Sequence, residues 1–209
     1  MFEKRILTLS EQRKFLLESK PVVTLTGDEF SKKDGITLTQ QVTEYYHSIG
    51  GIAVSPEYGK IMLDKQSVED DFAHGVGRIK AIAYAAVPDV IEKGIVILPL
   101  DNHKHGEKTL SAMIAAPLAI GTDEYVGVVV IRQYASGNRK LYVHEVFLIR
   151  KLLDDSSNPA HIPAVNQGVI SDSSINDSHP TQSMATNKGN IAKVLQKIIF
   201  AKFDENIHH

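Results

Sequence analysis

Cysteine is absent from the 209 residues. That excludes disulfide staples, thiolate zinc sites and a cysteine nucleophile, and it leaves the redox compartment open. A charge field of one sign is also missing. The 23 Lys and Arg nearly balance the 25 Asp and Glu, for a formal net charge of −2, so nucleic-acid binding would have to rest on a local patch. No apolar run approaches membrane-spanning length, and the opening MFEKRILTLSEQRKF lacks the sustained apolar core of a signal peptide. The expectation is a protein with no membrane partner, cytoplasmic or cut from a larger chain. There are no internal repeats. What is there, 43% hydrophobic residues and 23% charged, suffices for one domain with a core and a tail.

The stretch Ser67–Gly94, SVEDDFAHGVGRIKAIAYAAVPDVIEKG, organises the reading. Ser67 is an N-cap type of residue, and Glu69 and Asp70 follow where a helix dipole favours acids. His74 sits beside Gly75 and Gly77, which permit a turn or a close approach to a ligand. A second helix then opens with Arg78 and Lys80, and its Ile79, Ile82, Ala83, Ala86 and Val90 recur at helical spacing. Pro88 predicts a break near Ala86 and a restart, with Gly94 as the stop. A histidine and two cations at a glycine-broken helix mouth suit a phosphate-bearing ligand; a capped helix with a solvated basic end is the plainer alternative.

Before this stretch, the pattern predicts a short strand at Ile6–Leu9 and a charged helix from Ser10 with Phe15 and Leu16 inward. A strand follows in PVVTLTG, then a helix in ITLTQQVTEYYHSIGG with Leu38, Val42, Tyr45 and Ile49 inward. A hairpin is expected about Ser55–Gly59. After Gly94 the periodicity turns to β: Ile95–Leu98, a polar loop, then Leu110–Ile120, Tyr125–Arg132 and Lys140–Phe147. Short connections imply antiparallel pairing, with LIRKLLDD as a closing helical turn. Residues 154–189 are Ser/Asn-rich without an aromatic and are expected to be a disordered linker; residues 190–204 read as a terminal amphipathic helix.

Tyr142 and His144 are two apart on the last strand and share a face, and Arg132 closes toward Tyr142 across the hairpin. Glu145, beside His144, points the other way on a regular strand and so would not cooperate with it. His74 and His144 are the candidate acid/base pair, with Arg78, Lys80 and Arg132 as phosphate ligands. One histidine would take a 2′-hydroxyl proton, the other protonate the leaving 5′-oxygen, and a cation stabilise the pentacoordinate phosphate. Tyr142 would stack on a base or donate to the phosphate. No cofactor and no metal is called for: the H-x-H of His103 and His105 lacks a third and fourth ligand. Gly75-Val-Gly77 does not follow a strand, as a dinucleotide fingerprint would.

The runs PVVTLTG, GGIAVSPEYGKIML, DDFAHGVGRIKAIAYAAVPDVIEKGIVI, IAAPLAI, YVGVVVI and LYVHEVF, about Pro21 to Phe147, resemble the C-terminal modules of large polyvalent phage and mobile-element proteins. Some of these are grouped with barnase–EndoU–colicin–RelE-like nucleases. The resemblance implies an α+β, RNase/toxin-like domain over residues 1–153, with N-terminal helices packed on an antiparallel four-stranded sheet. It implies a toxin or effector that cleaves RNA, acting in the cytoplasm or delivered into a host cell, with an immunity protein or a phage head or portal protein as a further partner. A Ser/Thr from a middle strand, which many such nucleases use, has no evident counterpart in the sequence. A non-catalytic module binding nucleic acid or protein is the alternative. ADP-ribosyl transfer is disfavoured because no Glu/Gln-x-Glu pair occurs. Limited proteolysis should cut first within residues 155–188 and leave a folded fragment near residues 1–153; a fragment that unfolds once cut would make the tail structural.

Overall fold

The computed structural model describes residues 7–31, 33–72, 78–102, 109–134 and 140–151. The expected linker and terminal helix lie outside these residues, as do His74, His103 and His105. In chain order the elements are α1 (Leu9–Glu18), β1 (Thr24–Leu25), α2 (Leu38–Ser48), β2 (Ile52–Ser55), β3 (Gly59–Met62) and α3 (Lys65–Phe72). They continue with α4 (Arg78–Ala83), a 3₁₀ turn (Tyr84–Ala86), α5 (Val87–Lys93), β4 (Ile95–Asp101), β5 (Ser111–Ile120), β6 (Asp123–Gln133) and β7 (Leu141–Arg150). The protein is a mixed α+β domain.

The four late strands pair antiparallel, β4 on β5, β5 on β6 and β6 on β7, but the sheet has seven strands rather than four. The order is β1-β5-β6-β7-β3-β2, with β4 also on β5. Two parallel pairings carry the early strands in, Thr24↔Ala119 with Leu25↔Ile120 and Ile61↔Leu141 with Met62↔Tyr142. Each involves only two residue pairs, too brief for strand periodicity to announce which neighbour it takes.

Alternate residues of β5 and β6 enter two separate cores. Ala112, Ile114, Ala116, Leu118, Tyr125, Val129 and Ile131 face the helices, packing with Val42, Tyr46, Val68, Ile82, Tyr84, Val87, Val90 and Ile91. Met113, Ala115, Val126, Val128 and Val130 face the other way, onto Leu16 of α1. Burial on both faces explains why these strands read as continuous apolar runs.

Capping sets the helix starts. Thr8 and Glu11 form a capping box, so Leu9 belongs to α1 and is exposed, instead of closing the expected strand. Asp64, not Ser67, starts α3: its carboxylate accepts from Ser67 N at 3.0 Å, and Ser67 Oγ accepts from Asp64 N at 3.3 Å. Pro88 has no N–H for the carbonyl of Tyr84 four residues back. The Val87 N–H and the Tyr46 hydroxyl (3.3 Å) donate to that carbonyl instead, producing the 3₁₀ turn where a break was expected. Tyr46 is therefore the buried tyrosine of α2, while Tyr45, the one expected inside, is half-buried and donates to Ala85 O at 3.1 Å. Ile79, expected to face the core, is 51% exposed, and Leu148–Arg150 continue β7 instead of forming a helical turn.

Gly94 ends α5 with an ordinary φ of −77°, so space and not backbone conformation requires the glycine. A Cβ there would lie 2.3 Å from Val90 O and 2.8 Å from Ala115 O. At Gly127 the nearest obstacle is the movable Leu118 Cδ2, at 2.5 Å. Gly94→Ala should therefore cost more than Gly127→Ala, at least the roughly 1–3 kcal/mol of an overpacked core, as read by urea unfolding of both variants; equal losses would contradict this account.

Candidate functional site

The register of the β5–β6 hairpin builds the site. Gly121, at φ +59°, opens a two-residue connection between Ile120 and Asp123, and the ladder runs from there without a slip to Ser111↔Arg132. On β7, Arg132 pairs with Tyr142, and on β4, Ser111 pairs with Asp101. Directly paired residues share a face, so Asp101, Ser111, Arg132 and Tyr142 form one row across four strands, each step about 4.8 Å. This row continues the face that carries Val126, Val128 and Val130 toward Leu16.

His144 lies beside the row, its ring 6.1 Å from that of Tyr142 at an interplanar angle of 78°. Arg132 and His144 are half-buried, with the Arg132 Nε and His144 Nδ1 atoms themselves buried. Tyr142 is only 5% exposed. Its ring packs at 4.4 Å on Tyr134, whose hydroxyl donates to the Asp64 carboxylate. Burial first, then this acceptor, push the Tyr134 phenol well above its ordinary titration range. It therefore stays protonated and ties the end of β6 to the cap of α3. Asp64 serves both at once, one oxygen on Ser67 and the other on Tyr134.

The two cations of α4 go separate ways, as residues two apart on a helix must. Arg78 donates to the carbonyls of Phe30 (2.5 Å) and Gly27 (3.5 Å), holding the loop after β1. That loop includes Phe30 at φ +56° and is further held by Glu29, whose carboxylate accepts from the N–H groups of Thr26 and Gly27 at 2.7 and 2.9 Å. Burial pushes the Glu29 carboxyl up, but these donors outweigh it and leave its titration lowered. Lys80 instead has its Nζ 5.6 Å from the ring centre of Phe147 on β7. Arg132, Tyr142 and His144 thus share one sheet face, Lys80 reaches the same strand, and Arg78 is engaged elsewhere. Among the described residues no group of three or more metal-ligating side chains occurs. Two surface hollows, one lined by Thr37, Lys65 and Phe72 and another by Asp28, Lys33 and Tyr45, do not include these residues.

Ser111 is the residue that reading along the sequence missed. A signal for it existed: a two-residue connection at Gly121–Thr122 fixes which residue faces Arg132 by simple counting. Asp64 and Tyr134 carried no such signal, since they meet across 70 residues of chain.

The fold and this face define a mixed α+β module built on a seven-stranded sheet. Residues 33–142, more than half of the chain, match the large polyvalent protein-associated domain 3, and the chain belongs to that family. The matched span includes Arg78, Lys80, Ser111, Arg132 and Tyr142 and stops two residues short of His144. No curated protein and no solved structure matches the chain.

Removing the Tyr134 hydroxyl leaves the Asp64 oxygen without that donor, so Tyr134→Phe should destabilise the domain by about 1–3 kcal/mol. Because the folded-state phenol titrates above its unfolded value, its stabilisation is complete below the unfolded pKa of about 10 and is lost as pH rises beyond it. Wild type should lose stability above about pH 10 more steeply than Tyr134→Phe in alkaline denaturation; parallel curves would contradict the Tyr134–Asp64 tie.

Proposed function

We propose that this domain is an RNA-directed module of a polyvalent protein and cleaves RNA without a metal. The observation that carries this reading is the shared face of Arg132, Tyr142 and His144, with Ser111 in register beside Arg132. A phosphate seated over Arg132 would have a guanidinium for its developing charge, the Ser111 and Tyr142 hydroxyls as donors, and an imidazole one step away for proton transfer.

In the proposed step His74 or His144 removes the proton of a 2′-hydroxyl, and that oxygen attacks the adjacent phosphorus. The P–O5′ bond breaks as the second histidine gives its proton to the departing 5′-oxygen. The products are a 2′,3′-cyclic phosphate and a 5′-hydroxyl, and the two histidines have exchanged protonation states. Arg132 and Lys80 are the proposed phosphate ligands; Arg78 would join them with the guanidinium N–H groups left over from Phe30 and Gly27. Tyr142 acts through its hydroxyl, because one face of its ring is already against Tyr134. The setting proposed is phage or mobile-element material, acting in a cytoplasm.

A second reading, a non-catalytic module that binds nucleic acid or protein, is favoured by one observation: Tyr142 is 5% exposed, more like a packed residue than a reactive one.

Incubation of the full chain with mixed RNAs in EDTA should leave 2′,3′-cyclic ends, while DNA, which lacks the attacking hydroxyl, resists. His74→Ala or His144→Ala should slow cleavage on the order of 10²–10⁴-fold, with a bell-shaped pH–rate profile in wild type. RNA left intact at every pH, together with salt-sensitive binding that Lys80→Ala or Arg132→Ala weakens and His144→Ala does not, would decide for the binding module.

A further inference from the structure

The β6–β7 ladder slips by one residue, and the slip falls on His144. From Tyr125↔Arg150 to Val130↔Glu145 the pairing is regular; the next pair is Ile131↔Val143, so His144 is the extra residue of a β-bulge. The cores record the same slip. Leu141, Val143, Val146 and Leu148 all pack toward the helices, which a strand without an extra residue between Val143 and Val146 could not achieve. Glu145 is paired with Val130, whose side chain lies in the core on the α1 side, so Glu145 faces that side. His144 packs edge-on near Tyr142, which is paired with Arg132, two residues from Val130 and thus on the same side.

From this we infer that the bulge turns His144 and Glu145 onto one sheet face as a carboxylate–imidazole pair, with Glu145 as a positioning residue for the His144 ring. On a regular strand the two would point apart. At the bulge their Cα atoms are about 3.8 Å apart and their side chains leave the same side. Both are half-buried, where a carboxylate is screened less than at an open surface. Glu145 favours the protonated imidazole and restricts how the ring turns. Among the described residues, the other charged or titratable groups around the pair include Arg132 on β6, Tyr142 on β7, Tyr134 with Asp64 at the α3 cap, and Lys80 reaching Phe147 from α4. Arg132 and Lys80 oppose protonation of His144, and the Glu145 carboxylate acts against them.

The catalytic consequence of the pair rests on the RNA-cleavage reading; the pair itself does not, and the experiment separates them. The His144 ring signals of the full chain, identified by their loss in His144→Gln, are followed by NMR against pH. In wild type the His144 curve should show a second, smaller inflection in the carboxylate range as Glu145 titrates. Glu145→Gln should remove that inflection and lower the main transition by about one pH unit, while Glu145→Asp keeps part of it. If RNA is cleaved, the histidine-dependent limb of the pH–rate profile should move by the same amount in Glu145→Gln. A wild-type curve with one inflection, or identical transitions in wild type and Glu145→Gln, overturns the pair. A shifted transition in a protein that leaves RNA intact upholds the pair and overturns the cleavage reading alone.

Discussion

The β5–β6 ladder is the constraint on which the rest of the molecule depends. Ten consecutive pairs, Ser111↔Arg132 to Ile120↔Asp123, form an unbroken antiparallel ribbon with buried side chains on both faces. A slip of one residue would exchange the two faces and send every core residue to the wrong side, so the register is strongly held. Other elements build outward from this ribbon: β4 and β1 along one edge, β7 along the other with β3 and then β2 beyond it, α5 and the helical core on one face, α1 through Leu16 on the opposite one. In the row Asp101–Ser111–Arg132–Tyr142 that register sets Ser111 against Arg132, while the bulge on β7 brings Tyr142 opposite Arg132 and the register shifts on β4 bring Asp101 opposite Ser111.

Against this regular ribbon, β7 carries one irregularity. The bulge at His144 keeps Val146 and Leu148 in the helical core after Val143, at the cost of one interruption of the ladder register. What it yields is two consecutive polar side chains on the face of Arg132 and Tyr142. A strand buried on both sides offers few other places for two neighbouring polar groups to lie together, because an inward polar group needs a partner. The same economy appears at Asp64, where one carboxylate caps α3 and accepts the Tyr134 hydroxyl, joining the first turn of a helix to the far end of the hairpin.

The helical layer shows how a local defect is met by a distant residue. Pro88 removes a donor, and Tyr46 of α2 supplies a hydroxyl to the same carbonyl from 38 residues away. Gly94, directly after α5, lets the chain turn into β4 within contact distance of the carbonyls of Val90 and Ala115. These two points fix how α4, the 3₁₀ turn and α5 lie on the sheet. On α4 the two-residue spacing sends Arg78 toward the loop after β1 and Lys80 toward Phe147.

The amino-acid order alone determined what short-range physics dictates. The helix break at Pro88, the stop at Gly94, the hairpin between β2 and β3, the antiparallel late strands, the shared face of Tyr142 and Arg132 and the polyvalent-protein family were all legible. Capping was legible in kind but misplaced by three residues at α3, because Asp64 and Ser67 are both good cap residues and each accepts from the other. The bulge also left a trace in LYVHEVFL, where the helix-facing residues Leu141 and Val143 are followed by Val146 and Leu148 after a three-residue step. Regular alternation hid it, since Tyr142 and Phe147 supply bulky side chains on the other face. Only the tertiary structure decided which strands the two-residue pairings join, that Ser111 stands beside Arg132, and that Glu145 faces the side of His144. The reason is physical: these relations depend on register and packing between segments far apart in the chain, and local preferences are nearly indifferent to which distant partner completes them.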